Sequence, residues 1–181
     1  MFKHLPTAIA ALALAACAGG LDMVTRVDMS PNYAPQWVSV FAASGGEATI
    51  LGTTRDNASA DEIAAALRLP AHVGRRALSA APPGEAQGGA HLVLVFTPSG
   101  GVTGRKACRG EVSGGVAGPE SLKVVGVFCT SYGTPVSEGQ IDLKGSPVPS
   151  DPDFGRRMSY LMNAIMPAVN PQADSGCFRG C

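Results

Sequence analysis

Two apolar runs constrain this chain more than any other feature of its sequence. The first extends from Leu92 to Phe96, and the second extends from Leu122 to Phe128 with Lys123 as its only charged residue. Strands with one face in water alternate polar and apolar residues, whereas strands covered on both faces do not. The two runs therefore predict central strands of a sheet that is covered by helices.

Two helices are predicted from their start signals and their apolar spacing. Ser59 and Glu62 form a capping-box pattern ahead of Ile63, and Pro70 ends this first helix. The second begins near Ser150, ends before Pro167 and carries an apolar stripe, namely Phe154, Met158, Leu161, Met162 and Ile165. A methionine-bearing stripe can also form a partner-binding groove, but this spacing favours the core.

The other predicted elements are strands. Residues Trp37–Phe41 and Ala48–Leu51 flank the turn signal Ser44-Gly45-Gly46 and predict a hairpin. Residues Val136–Leu143 predict an edge strand whose acidic residues discourage pairing with other chains. The fold class that follows is α+β, with a mainly antiparallel sheet of four to six strands and two helices packed on one face.

The N-terminus carries an export signal. A short apolar segment from Ala8 to Leu14 follows Lys3 and His4, and it is too short to span a bilayer. It leads directly into Leu14-Ala15-Ala16-Cys17. This tetrapeptide resembles the lipobox of bacterial lipoproteins.

The resemblance implies cleavage before Cys17, with diacylglycerol on its thiol and an acyl group such as palmitate on the new amine. Two or three acyl chains anchor a protein stably in a membrane, which would be one partner of the mature chain. Because Ala18 stands where an Asp signals inner-membrane retention in some bacteria, we expect an outer-membrane lipoprotein facing the periplasm.

The domain organisation follows from this signal. Residues 1–16 are the predicted signal peptide, and residues 17–35 are a lipidated tether that contains Pro31, Asn32 and Pro35. Residues 36–167 form a single α+β domain, and residues 168–181 form a cysteine-containing tail.

Four cysteines remain once Cys17 is assigned to lipid. An even number in an oxidising compartment predicts disulfides, with three possible connectivities. Cys108 and Cys129 are favoured as one pair, joined across two strands, and Cys177 and Cys181 as a small ring in the tail. A thiol oxidoreductase site at Cys177 and Cys181 has less support, because three residues separate these cysteines where redox motifs usually have two. A zinc site formed by the same cysteines with His72 and His91 also has less support, because the four residues lack a ligand spacing.

Charge and motifs limit the function classes. The chain has 14 basic and 14 acidic side chains, and removing the signal peptide takes only Lys3, so no basic excess exists for binding nucleic acid. The pair Arg75-Arg76 is interpreted as solvated loop. No nucleophile elbow, phosphate loop or dinucleotide motif occurs, and no cofactor is predicted.

Three functional hypotheses remain. The first is a non-enzymatic scaffold or interaction module of the cell envelope with a protein partner. The second is a small-ligand binding module with a pocket between sheet and helix. The third is an enzyme, either a hydrolase built on His91 or His72 or a thiol oxidoreductase that uses Cys177 and Cys181.

Overall fold

The two apolar runs form neighbouring strands at the middle of a six-stranded sheet. The computed structural model describes residues 22–82, 89–130 and 133–173. Across these ranges the strands are β1 (Met23–Met29), β2 (Glu47–Leu51), β3 (Ser79–Ala81), β4 (His91–Phe96), β5 (Ser121–Cys129) and β6 (Pro135–Lys144). Their order in the sheet is β1-β6-β5-β4-β2-β3.

Four α-helices and one 3-10 helix accompany the sheet in the described ranges. The α-helices are α1 (Pro35–Ala43), α2 (Ala60–Ala66), α3 (Gly104–Cys108) and α4 (Phe154–Ile165), and the 3-10 helix is Ala71–Val73. The α+β class is therefore confirmed. None of these helices is long and apolar enough to cross a bilayer.

The sheet is mixed, so the expectation of a mainly antiparallel sheet is wrong. β1, β6, β5 and β4 pair antiparallel, whereas β2 pairs parallel with both β4 and β3. Parallel neighbours need a long crossover, and the segment between β2 and β3 contains α2. The predicted hairpin would have placed β2 in an antiparallel pair instead.

That hairpin does not form because Trp37–Phe41 lies within helix α1. Pro35 occupies the first turn, where its fixed φ favours a helix. Val38, Phe41 and Ala42 are the buried residues, which is helical spacing. The apolar pattern of Trp37–Phe41 is too short to distinguish the two-residue period of a strand from the 3.6-residue period of a helix. The helix forms because it buries Val38, Phe41 and Ala42 against the core.

β6 is not an edge strand, because β1 pairs along its outer side. Met23–Met29 lies in the predicted tether but forms this outermost strand instead. The β1–β6 register shifts between Val24 and Arg26, and such a bulge removes the simple alternation that identifies a strand. On β6, Glu138 accepts a hydrogen bond from the Gly104 backbone N–H and pairs with Arg26.

The helices cover both faces of the sheet, which corrects the expectation of two helices on one face. Buried side chains of α1, α2 and α4 join the larger core cluster on one face. On the other face, Ala107 of α3 packs with Val93, Val95, Val125 and Val127 in a smaller cluster. This second cover explains why β4 is buried along its whole length and apolar from Leu92 to Phe96.

The disulfide between Cys108 and Cys129 is confirmed, with 5.7 Å between the two Cα atoms. Cys108 was expected in a strand but lies at the end of α3. The bond therefore fixes a five-residue helix to the end of β5, and it supplements a small cluster of apolar contacts.

Helix α4 packs closely on the sheet over a pair of glycines. Gly126 of β5 and Gly139 of β6 are register partners. A Cβ at Gly126 would lie 2.8 Å from Ile165 Cδ1, and one at Gly139 would lie 2.7 Å from Ile165 Cγ2. Ser137 also donates its hydroxyl to the Ile165 carbonyl. Missing side chains on two neighbouring strands thus create the space that α4 occupies.

We expect Gly139→Ala to lower the free energy of unfolding by about 1–3 kcal/mol, because the new methyl overpacks against the β-branch of Ile165. Chemical denaturation measures the loss. The matched control is Gly118→Ala, since a Cβ there meets nothing within 4 Å. Equal stabilities of the two variants would contradict the close packing of α4.

The Cys108→Ala/Cys129→Ala double variant should lose about 3 kcal/mol of stability, because the bond closes a loop with a sequence separation of 21. Denaturation of wild type under reducing and non-reducing conditions gives the same comparison without a mutation. A reductant that leaves the wild-type midpoint unchanged would show that this bond does not stabilise the folded state.

Candidate functional site

The predicted apolar stripe of α4 is confirmed as core. All five of its residues, Phe154, Met158, Leu161, Met162 and Ile165, are fully buried. Because this stripe faces the sheet, Arg156, Ser159 and Asn163 lie on the outer side of α4, where they line one wall of an open cleft. The cleft has a volume of about 310 Å³.

The opposite wall comes from the segment that follows α2. Arg68 and Arg75 line it together with Leu69, Pro70 and Ala71, of which Ala71 is exposed. The Leu69 N–H donates to the Arg76 carbonyl at 3.0 Å, and Arg68 forms an isolated bridge with Ala77. These backbone bonds close the segment into a loop that carries both arginines on the same side of the fold.

The two walls approach each other closely at Gly155. A Cβ on this residue would lie 2.5 Å from the Ala66 carbonyl oxygen at the end of α2. A larger residue would force α4 away from α2. The glycine therefore allows Arg156 to lie near the arginines of the loop.

The three arginines of the cleft differ in their contacts. Arg68 donates from Nη1 to the carbonyl oxygens of Leu67, at 2.7 Å, and Ala65. Arg156 pairs with Asp153 at 3.0 Å, and both side chains of this pair are exposed. Arg75 is exposed and makes no hydrogen bond or ion pair with any described residue. No acidic residue is among the described residues that line the cleft.

A second charged contact on α4 lies at the N-terminal end of the described chain. Arg157 donates from Nε to Asp22 Oδ2 at 2.6 Å and from Nη2 to Asp22 Oδ1 at 2.5 Å. Nη2 also donates to the Lys144 carbonyl at 2.7 Å. The two side chains are only 16% and 14% exposed, so this bidentate pair is largely shielded from water.

This pairing shifts both pKa values. The hydrogen bond from Arg157 lowers the pKa of Asp22 below its usual value and outweighs the opposing effect of partial burial. The same bond raises the pKa of Arg157. The carboxylate form of Asp22 is thus the form that the fold stabilises.

Another open pocket, of about 440 Å³, lies beside α3 on the other face of the sheet. Ser99 and Ser113 form a hydrogen bond of 2.7 Å across it. One Lys and one Glu line it, Lys106 and Glu111, so their charges offset each other. This pocket therefore selects less strongly for ligand charge than the arginine-lined cleft does.

The histidines considered for catalysis lie in different settings. His91 is buried at the start of β4, and its Nδ1 lies 3.2 Å from the Gly89 carbonyl. His72 lies on the exposed 3-10 helix. Within the described ranges no three His, Cys, Asp or Glu residues form a group able to hold a metal ion.

The remaining predicted site residues lie outside the described residues. These are Cys17, Cys177 and Cys181, together with the predicted signal peptide and the lipobox-like sequence. The predicted capping box at the start of α2 is confirmed, since Glu62 accepts hydrogen bonds from the Ser59 backbone and hydroxyl. The start of the tail is part of the domain, because buried Asn170 donates to the carbonyls of Ser30, Pro31 and Tyr33.

Sequence reasoning missed the arginine-lined cleft. The sequence pattern around Arg75 indicates a solvated loop, and Arg156 belongs to no motif. The available signal was the absence of acidic residues from Leu67 to Leu78, a stretch that holds three arginines. That signal does not reveal that α4 adds a further arginine from another part of the chain.

Comparisons with known proteins give one structural likeness. No protein-family model and no curated protein sequence matches the chain. Among solved structures, the chain is similar to one described as a PelC dodecamer from Paraburkholderia phytofirmans. The identity is 12%, the match covers 84% of this chain and 96% of that chain, and the TM-score is 0.36. A likeness at this level supports no conclusion about fold or function.

We expect Asp22→Asn to lower stability at pH 7 by about 1–3 kcal/mol, because it breaks a shielded, charge-assisted pair. A carboxyl whose pKa is lowered by folding stabilises the fold above its unfolded pKa of about 3.9, and this contribution is lost as the pH falls through the folded pKa. The difference between wild type and variant should therefore shrink below about pH 4.

The control for this prediction is Asp153→Asn, which breaks an exposed pair on the same helix and should cost about 0.5 kcal/mol. Denaturation curves from pH 7 down to pH 3 measure both variants. A pH-independent effect of Asp22→Asn would show that the ion pair is not its cause.

Proposed function

We propose that this chain is a non-enzymatic interaction module of the bacterial cell envelope, anchored in the outer membrane by acyl chains on Cys17 and facing the periplasm. The lipobox-like sequence Leu14–Cys17 supports the anchor. The proposed partner is another component of the envelope, which this chain would bind without catalysing a reaction on it.

The observation that carries the proposal is the position of the Asp22–Arg157 pair. Asp22 lies five residues after Cys17. Five extended residues span at most about 18 Å, so a lipid on Cys17 would keep the domain close to the membrane surface. Since Arg157 binds Asp22 through two hydrogen bonds, the tether would end at a fixed point of the fold. Such a short link favours contacts with partners at the membrane over partners far from it.

A second candidate function is a small-ligand binding module. The observation in its favour is the cleft between α4 and the loop after α2, where polar side chains from two separate segments converge. The two functions are compatible, because a membrane-held module needs a recognition surface.

We expect Cys17→Ala to abolish incorporation of an alkyne-labelled palmitate in cells and to release the protein from the washed membrane fraction. Cys181→Ala is the control, since it removes a cysteine outside the lipobox and should keep both label and membrane attachment. Labelling of the Cys17→Ala variant, or an unlabelled wild type, would contradict the anchor.

The same strains test the partner. Cross-linking in intact cells, followed by pulldown, should recover an envelope component with the wild type and not with an unrelated lipoprotein of the same membrane. Recovery of the same proteins with both baits would contradict an interaction role.

A further inference from the structure

We infer that the cleft formed by Arg68, Arg75 and Arg156 binds a phosphate group that carries two negative charges. This inference deepens the proposed function, because it names the chemistry that the module recognises. It rests on the charge of the cleft, on the way its arginines are held and on its size.

The charge of the cleft departs from that of the whole chain. Acidic and basic side chains balance over the full sequence, with 14 of each. Three arginines line the cleft, and Asp153, which pairs with Arg156, is the one carboxylate paired with any of them among the described residues. The local charge is therefore about +2, and arginine stays protonated at any physiological pH. A dianionic phosphate matches this charge, whereas one carboxylate leaves a positive excess.

The arginines are held in part before any ligand arrives. Two backbone carbonyls orient the Arg68 guanidinium, and Asp153 orients that of Arg156. Arg75 keeps all of its N–H donors free of described partners. Guanidinium groups donate in pairs with a geometry that fits phosphate oxygens, so one free and two restrained arginines form a suitable set.

Neutral polar groups add further hydrogen-bonding capacity. Ser159 donates its hydroxyl to the Arg156 carbonyl at 2.6 Å, and Asn163 donates one amide N–H to the Ser159 carbonyl at 2.7 Å. The second amide N–H of Asn163 has no described partner. It is available to a ligand oxygen next to the arginines.

The size of the cleft indicates that the phosphate is part of a larger molecule. A volume of about 310 Å³ lies at the lower end of the range for small-molecule sites. Ala71 is exposed and adds an apolar side chain beside the charged groups, while Leu69 and Pro70 are buried behind it. A phosphomonoester fits this description, either on a soluble metabolite such as a sugar phosphate or on a lipid headgroup.

The test is a calorimetric titration of the processed, full-length mature protein in detergent micelles at pH 7.5. The probe is inorganic phosphate, and sodium chloride and sodium succinate at matched ionic strength are the comparisons. We expect phosphate to bind measurably more tightly than succinate, and chloride to give no saturable heat. Equal affinity for phosphate and succinate, or no saturable binding of phosphate, would overturn the inference.

Charge-neutralising variants locate the binding. Arg75→Gln/Arg156→Gln should weaken phosphate binding at least tenfold. Arg55→Gln/Arg105→Gln is the matched control, because it removes the same charge from exposed arginines outside the cleft and should change the affinity less than twofold. Arg75→Gln alone, which disturbs no described contact, serves if the cleft double variant fails to fold. Equal weakening by cleft and control variants would overturn the site.

Two further probes distinguish the sources of the phosphate. Glucose 6-phosphate represents a soluble ligand, and dihexanoyl phosphatidic acid below its micelle concentration represents a lipid headgroup. Tighter binding of either than of inorganic phosphate supports the site and identifies the attached group. Weaker binding of both would overturn the fit to a phosphomonoester. These titrations measure phosphate binding and not acylation, so their failure is distinguishable from failure of the Cys17→Ala experiment.

Discussion

The close packing of α4 on the sheet is the contact on which both proposals depend. Gly126 and Gly139 lie side by side on β5 and β6, and Ile165 occupies the space that their missing side chains leave. This contact sets the rotation of the helix about its axis. Once the apolar stripe faces the sheet, Arg157 meets Asp22 on one side and Arg156 enters the cleft on the other. The proposed anchor end of the domain and its proposed recognition site thus lie on two sides of one helix.

The two faces of the sheet are stabilised in different ways. The face under α1, α2 and α4 has a large apolar core that includes four fully buried phenylalanines, namely Phe41, Phe96, Phe128 and Phe154. The face under α3 has a small cluster of valines and relies on the Cys108–Cys129 bond and on Glu138 to hold a short helix. A disulfide adds most to stability where little apolar surface is buried. The proposed cleft lies on the side with the larger core, which gives it the more rigid support.

The sequence predicted the elements whose formation depends on interactions between residues close together in the chain. Ser59 and Glu62 identified the start of α2, the stripe from Phe154 to Ile165 identified α4, and unbroken apolarity identified β4 and β5. Failures occurred where distant contacts decide the outcome. Trp37–Phe41 fits the pattern of a strand as well as that of a helix. The bulge in β1 interrupts the alternation of polar and apolar residues by which a strand is recognised. The cleft was not predicted because Arg75 and Arg156 are far apart in the sequence. They line one cleft only when α4 packs on the sheet, and no local sequence pattern indicates this packing.

The most direct test of this account is a map of amide chemical shifts in the isotope-labelled mature protein as phosphate is added. The account predicts that the largest changes fall on residues 68–75 and 155–163, the two segments that face each other across the cleft. Changes centred instead on residues 99–113, around the pocket beside α3, would contradict it, and so would small changes spread evenly over the surface.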